Sequence, residues 1–224
     1  MPYLYLVRHG QPDFTGHYDS ITDLGAQQAA WLGAHFAGRS LRFARVASGT
    51  LQRQVATCER MLAHLPGVPS PLQDARVNEY DHASLLSFFE GDGAQELRKA
   101  GDRRGYFAAI RHALQAWSRH VGTVAGGETW GEFGSRIRAG VADLCAGLGR
   151  DDLVLVVTSG GVIGRFTAEV LGASADTAIQ LNLQTRNTGV TEVVVTGNGG
   201  ARLVAFNAVP HLETPERAAA ITYV

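Results

Sequence analysis

Tyr5-Leu6-Val7-Arg8-His9-Gly10 decides the reading of this chain. A continuous apolar run, Leu4 to Val7, breaks off at an arginine, a histidine and a glycine. Uninterrupted runs of this kind mark strands buried on both faces, as in parallel sheets. Functional side chains commonly sit where such strands end, because the sheet opens there into a crevice. Arg8 supplies a permanently charged planar fork suited to phosphate oxygens. His9 supplies an imidazole able to act as a nucleophile, and Gly10 allows backbone and ligand to approach closely. Alone, the tripeptide is equally compatible with a strand that ends in a polar turn.

The same pattern recurs beyond the first strand. A turn-rich stretch from Gln11 to Ser20 precedes Thr22 or Asp23, which can cap a helix running to about Phe36. Phe43–Ala47 reads as a second strand, succeeded by Ser48-Gly49-Thr50 and a helix through Met61 and Leu62. Pro66, Pro69 and Pro71 fix an extended connection into Arg76–Tyr80. The stretch from Ala83 to Leu148 is helical in character, with helices at about Phe107–His120 and Thr129–Leu148 and a break at Gly126-Gly127. Leu153–Val157 is the strongest candidate for a central strand; Thr158-Ser159-Gly160-Gly161 and a helix from about Val162 to Leu171 come after it. Val190–Thr196 and Arg202–Phe206 look like a hairpin turned at Gly197-Asn198-Gly199-Gly200. Alternation of strands and helices predicts an α/β fold with a largely parallel sheet covered by helices. We expect one domain over residues 1–224, with a helical insert at about 83–148.

Composition narrows the function classes. The 224 residues, 45% hydrophobic and 18% charged, describe an ordinary globular protein able to bury a large core. A formal charge of −1 argues against nucleic acid or an anionic membrane as partner. Cys58 and Cys145 are the only cysteines and have no Cys/His cluster around them, which speaks against a structural zinc site. No metal or organic cofactor is called for. The chain enters its first strand without a signal-like segment and has no apolar run long enough to span a bilayer, so a cytoplasmic, reducing setting is expected.

In a parallel sheet the three strand ends face one side. Arg8 and His9 then converge with Arg53, one turn into the second helix, and with the helix start at Ser159-Gly160. Helix amino termini and guanidiniums together favour a dianionic phosphate. An uncompensated pair of arginines there would be costly.

This set resembles the histidine phosphatase superfamily, the phosphoglycerate-mutase-like enzymes, over nearly the whole chain. Arg8-His9-Gly10 matches the family's nucleophile motif, and Thr22-Asp23-Leu24-Gly25-Ala26-Gln27-Gln28-Ala29 matches the helix that comes after it. Ser48-Gly49-Thr50-Leu51-Gln52-Arg53 with Thr57 matches the segment of the second phosphate-binding arginine, and Asn78-Glu79-Tyr80 that of the acid/base glutamate. Gly126-Gly127-Glu128-Thr129, Asn187 and Phe206-Asn207-Ala208-Val209-Pro210-His211-Leu212 also fit. The resemblance implies a three-layer sandwich with a mostly parallel mixed sheet. It implies His9 as nucleophile, Glu79 as acid/base, and Arg8, Arg53, Ser159 and Gly160 as phosphate ligands. Gln11, Thr15 and Gly16 are candidate substrate-loop residues.

One position departs from the family pattern. A histidine normally precedes the Gly-Gly after the central strand, and here Ser159 stands in that place. A neutral hydroxyl donor in place of a charged one weakens transition-state binding by about 1–3 kcal/mol, roughly 5- to 150-fold in rate. His17, His82 and His211 are candidates to replace the imidazole, His82 first because it lies three residues after Glu79. His35, His64, His112 and His120 fall in or beside helices and read as structural. Arg98, Lys99, Arg103 and Arg104 read as a solvated basic face or a lid for an anionic substrate. Trp31, Trp117 and Trp130 read as core or rim aromatics.

The implied activity is metal-independent phosphomonoester hydrolysis through a phosphohistidine, on a small phosphorylated molecule. Two rivals stand beside it: a mutase with the same chemistry, and a non-enzymatic homologue that binds phosphorylated ligands, inorganic phosphate or a partner. Neither the physiological substrate nor the oligomeric state is written in the sequence.

Overall fold

Tyr3–Arg8 forms strand β1, whose neighbours on both sides come from far along the chain. It pairs in parallel with β4 (Leu153–Thr158), Arg8 opposite Thr158, and antiparallel with β5 (Val190–Val195). The computed structural model describes residues 1–13, 19–88, 103–196 and 200–223. The sheet is completed by β2 (Phe43–Ser48), the two-residue β3 (Leu72–Gln73) and β6 (Ala201–Ala208), in the order β3-β2-β4-β1-β5-β6. β5 alone runs against the others. Of the expected hairpin turn, Gly197, Asn198 and Gly199 lie outside the described residues.

Residues of β1 and β4 alternate between two cores, as the two-residue period of a strand requires. Leu4, Leu6, Val154 and Val156 pack on one side with Leu114, Phe133, Ile137 and Ile163. Tyr5, Val7, Leu155 and Val157 pack on the other with Leu32, Phe36, Cys58 and Met61. Helices α1 (Asp23–Gly38) and α2 (Gln52–Leu62) cover this second face. The first is covered by α4 (Arg103–Arg119), α5 (Trp130–Cys145) and α6 (Gly160–Val170), with the short α3 (His82–Leu86) beside them. The three-layer α/β arrangement is the one expected.

Local signals explain most helix ends. The Thr22 hydroxyl accepts the Gly25 N–H at 3.0 Å and starts α1. Thr129 and Glu132 form a reciprocal capping box on α5. Differences from expectation are few. α4 begins at Arg103, four residues before the expected Phe107; α5 stops at Cys145, before Leu148; and α6 begins at Gly160, directly on Ser159. A helix not foreseen, α7 (Ala175–Gln184), is capped by Ser174 and packs on α6.

Contact between α1 and α2 depends on Gly33, where a Cβ would lie 2.1 Å from the Met61 carbonyl oxygen. In an open helix, glycine to alanine is stabilising; here the backbone of α2 reverses the sign. Gly33→Ala is expected to lower the unfolding free energy by about 1–3 kcal/mol in urea titrations. Gly38→Ala at the end of the same helix, with nothing within 4 Å of its Cβ position, is expected to raise it by a few tenths.

Candidate active site

β1, β2 and β4 all end at the same edge of the sheet, and the candidate residues gather there. His9 directly follows β1, and its N–H donates to the Thr158 carbonyl at 2.9 Å, joining the ends of β1 and β4. The ring is 2% exposed. Its Nδ1 lies 2.8 Å from the Gly10 carbonyl oxygen, an acceptor, so Nδ1 carries the proton and Nε2 keeps its lone pair. The His9 carbonyl accepts the Asn187 side-chain amide at 3.1 Å, while the Gly10 N–H donates to the Thr57 hydroxyl at 2.9 Å. Burial, then the charges of Arg53 and Arg8, hold the imidazole well below its usual pKa and so neutral.

Two guanidiniums border this ring, each 6% exposed. Arg8 donates through Nη1 to the carbonyls of Thr185 and Tyr223. Arg53 donates to Asp19 Oδ1 at 2.8 Å, and the other oxygen of Asp19 accepts the Gln52 N–H at 3.0 Å. Asp19 thereby caps α2 from a distant loop, supplying negative charge where the dipole favours it.

Glu79 is brought in on an extended segment, half-buried, with Oε2 accepting the Gly161 N–H at 3.0 Å and Oε1 the Tyr80 N–H at 3.3 Å. Burial raises its pKa, against the opposing pull of the Gly161 N–H, Arg53 and Arg8. The segment is clamped from behind. Arg136 donates to the carbonyls of Arg76 and Asn78 at 2.8 and 2.7 Å and pairs through two nitrogens with Glu128. The Thr158 hydroxyl donates to the Val77 carbonyl at 2.6 Å, and Asn78 holds Thr50 through two hydrogen bonds. This gives the Gly126-Gly127-Glu128-Thr129 stretch a physical role: it carries the carboxylate that fixes the clamp.

Ser159 is fully buried at the start of α6, and its hydroxyl accepts the Gln54 side-chain amide at 2.8 Å. A Cβ on Gly160 would lie 2.7 Å from Asn182 Oδ1, and one on Gly161 2.1 Å from Glu79 Oε1. Both glycines therefore let α6 begin against the site. Arg8, His9, Arg53, Glu79, Ser159 and Gly160 thus meet at one sheet edge. Gln11 lies nearby, its N–H donating to Gln28 at 2.9 Å. Thr15, Gly16 and His17 lie outside the described residues, as do Arg98 and Lys99; Arg103 and Arg104 are described in their backbone only.

Two of the histidines weighed as stand-ins, His211 and His82, lie among the described residues. His211 is buried with Nε2 2.8 Å from the Thr188 hydroxyl and its ring 6.4 Å from that of His35. His82 opens α3 and stacks on Tyr80 with ring centroids 6.1 Å apart. Three residues were not foreseen. Gln54 and Asp19 are polar side chains whose partners are remote in sequence. Asn182, on the unforeseen α7, donates to the Tyr80 hydroxyl at 3.3 Å and sits against Gly160. A polar residue at the buried position after Arg53 was the one available signal, and it pointed to Gln54. Among the described residues no helix is long and apolar enough to cross a membrane.

Comparison with known proteins identifies the family and the fold. The model of the family described as "Histidine phosphatase superfamily (branch 1)" matches residues 4–209. A 64-residue stretch is 34% identical to the mitochondrial serine/threonine-protein phosphatase Pgam5 of Caenorhabditis briggsae; it covers 29% of this chain and 23% of that protein. Among solved structures, the fold is similar to Bacillus stearothermophilus YhfR, with TM-score 0.71 and 24% identity over 95% of this chain and 100% of the other. It is also similar to a mutant phosphoserine phosphatase from Entamoeba histolytica in complex with phosphoserine, with TM-score 0.68 and 20% identity over 95% and 100%. The mycobacterial glucosyl-3-phosphoglycerate phosphatase gives TM-score 0.66 and 23% identity over 93% and 99%.

The buried neutral histidines give the fold a pH dependence. Burial, then His35 and Arg217, lowers the pKa of His211 to about 3. Below about pH 6.5 the unfolded chain takes up the proton that the folded chain refuses, so stability falls as acid is added down to the folded-state value. Unfolding free energies at pH 7.5 and 5.5 are expected to differ by about 1 kcal/mol for each such histidine. His211→Gln should flatten that difference.

Proposed function

Because this chain belongs to the histidine phosphatase superfamily, we propose that it is a phosphomonoester hydrolase that works through a phosphohistidine at His9. The observation that carries the reading is the state of that ring: neutral, with Nδ1 tied to Gly10 and Nε2 left with its lone pair, between two buried guanidiniums. In the first step Nε2 attacks phosphorus, the bond to the ester oxygen breaks, and Glu79 gives its proton to the departing alkoxide. In the second, water attacks the phosphohistidine, Glu79 takes the water's proton, and the N–P bond breaks to release phosphate and neutral His9. Two easier displacements replace one difficult one.

Each side chain has an electrostatic reason for its part. Arg8 and Arg53 are placed to balance charge on the equatorial oxygens, the main protein contribution to phosphoryl transfer. Gly160 N–H, at the first turn of α6, adds a helix-terminal donor. Glu79 needs its proton for the first step, and burial raises its pKa in the direction that favours that form. The reaction uses no metal. Related structures hold phosphoserine and 3-phosphoglyceric acid, and a small phosphomonoester is the substrate class we propose here.

Wild-type protein incubated with a panel of phosphomonoesters is expected to release phosphate and to yield an acid-labile phosphoenzyme; His9→Ala should do neither. Absence of turnover and of label in the wild type would leave a phosphate-binding protein, and transfer to a second alcohol rather than water would make it a mutase. Glu79→Gln should lower kcat on alkyl phosphates by about 10²–10⁴-fold. With p-nitrophenyl phosphate, whose leaving group needs no proton, the same variant should accumulate phosphohistidine, because the hydrolytic step alone is then slowed.

A further inference from the structure

Gln54 follows Arg53 on α2, and its side chain is fully buried. Nε2 donates to Ser159 Oγ, while Oε1 is buried with no hydrogen-bond partner and rests where a Gly49 Cβ would come within 1.9 Å of it. A buried amide with an unsatisfied carbonyl costs stability and calls for an explanation. Packing does not supply one, since an apolar side chain of equal length would fill the same space without that cost.

Ser159 is unusual in a matching way. Serine at a helix start ordinarily uses its oxygen to accept an N–H of the first turn; here there is no such bond, and the Gly161 N–H goes to Glu79 instead. The hydroxyl oxygen is engaged by Gln54, its one hydrogen-bond partner among the described residues, so the hydroxyl proton has no acceptor among them. Ser159 follows Thr158, the register partner of Arg8, and so leaves the sheet beside His9. The residue therefore stands at the sheet edge where Arg8, His9 and Arg53 gather.

We propose that Gln54 is a positioning residue that fixes the Ser159 hydroxyl as a donor to the transferring phosphoryl group. With the amide N–H on its lone pair, Ser159 offers its proton; with a carbonyl or carboxylate in that place, Ser159 would turn its proton inward and face the phosphate with lone pairs. The proposal rests on the phosphohydrolase reading above, and it concerns a polar pair rather than either residue alone.

The test compares wild type, Gln54→Met, Gln54→Glu, Ser159→Ala and the Gln54→Met/Ser159→Ala double variant on p-nitrophenyl phosphate. Methionine keeps the volume and removes the amide, and thermal melting confirms that each variant is folded. Gln54→Met and Ser159→Ala should each lower kcat about tenfold with KM little changed, and the double variant should be no worse than either. Gln54→Glu should be slower still near neutrality and should recover as falling pH protonates the carboxylate, a profile that loss of packing would not produce. Multiplying losses, or an unaffected kcat in folded Gln54→Met, would overturn the proposal. Should the wild type fail to hydrolyse any ester, the functional reading falls by itself. The pair is then judged by affinity for inorganic phosphate: equal, non-additive weakening supports it, and unchanged affinity overturns it.

Discussion

Arg8 and Arg53 are withdrawn from water on either side of a histidine that is itself buried. Removing two permanent cations from solvent is costly unless good geometry and further hydrogen bonds compensate. The chain compensates from several directions. Carbonyls of Thr185 and Tyr223, from distant parts of the sequence, converge on Arg8; Asp19 reaches Arg53 from the loop before α1. These partners hold their places only if β1 lies between β4 and β5 and α2 packs on α1, so the sheet order and the helix contacts serve this cluster.

The same cluster shifts its two titratable groups in opposite directions. Burial keeps His9 without a proton, and the neighbouring cations add to that effect. For Glu79 burial works in the opposite direction and raises the pKa, while the same cations and the Gly161 N–H oppose it. One low-dielectric pocket therefore shifts a base and an acid in opposite directions, a pairing suited to the attack and leaving-group protonation proposed above. Rigidity matters as much as pKa, because an acid on an extended segment would otherwise wander. The Glu128–Arg136 pair and the Thr158 hydroxyl pin that segment through backbone carbonyls, so its position is independent of the Glu79 side chain's charge.

Much of this was legible from residue order. Apolar runs ending in Arg8-His9 and Thr158-Ser159, and caps such as Thr22 and Thr129, predicted β1, β4, α1 and α5 because their signals are local. α7 was not foreseen, although its start carries a local signal of the same kind, a Ser174 cap with Asp176 in the first turn; the helix packs on α6. The acceptors on Arg8 were invisible for another reason. They are backbone carbonyls 177 and 215 residues away, and a carbonyl leaves no mark in side-chain identity. Gln54 fell between these cases, a polar residue on a buried helix face whose partner, Ser159, lies 105 residues on.

That pair also explains how the pocket limits its own charge. An arginine guanidinium carries its charge permanently, and the site holds two. A third cation beside them would be repelled whenever the site is empty, and it would titrate with its surroundings. A hydroxyl oriented by an amide adds a donor without adding a charge, so it imposes no such repulsion on the resting fold. It is also weaker than a charged donor by about half. In the proposed mechanism the arrangement thus exchanges some transition-state binding for an uncharged donor at residue 159, and leaves Glu79 as the group whose proton governs the reaction.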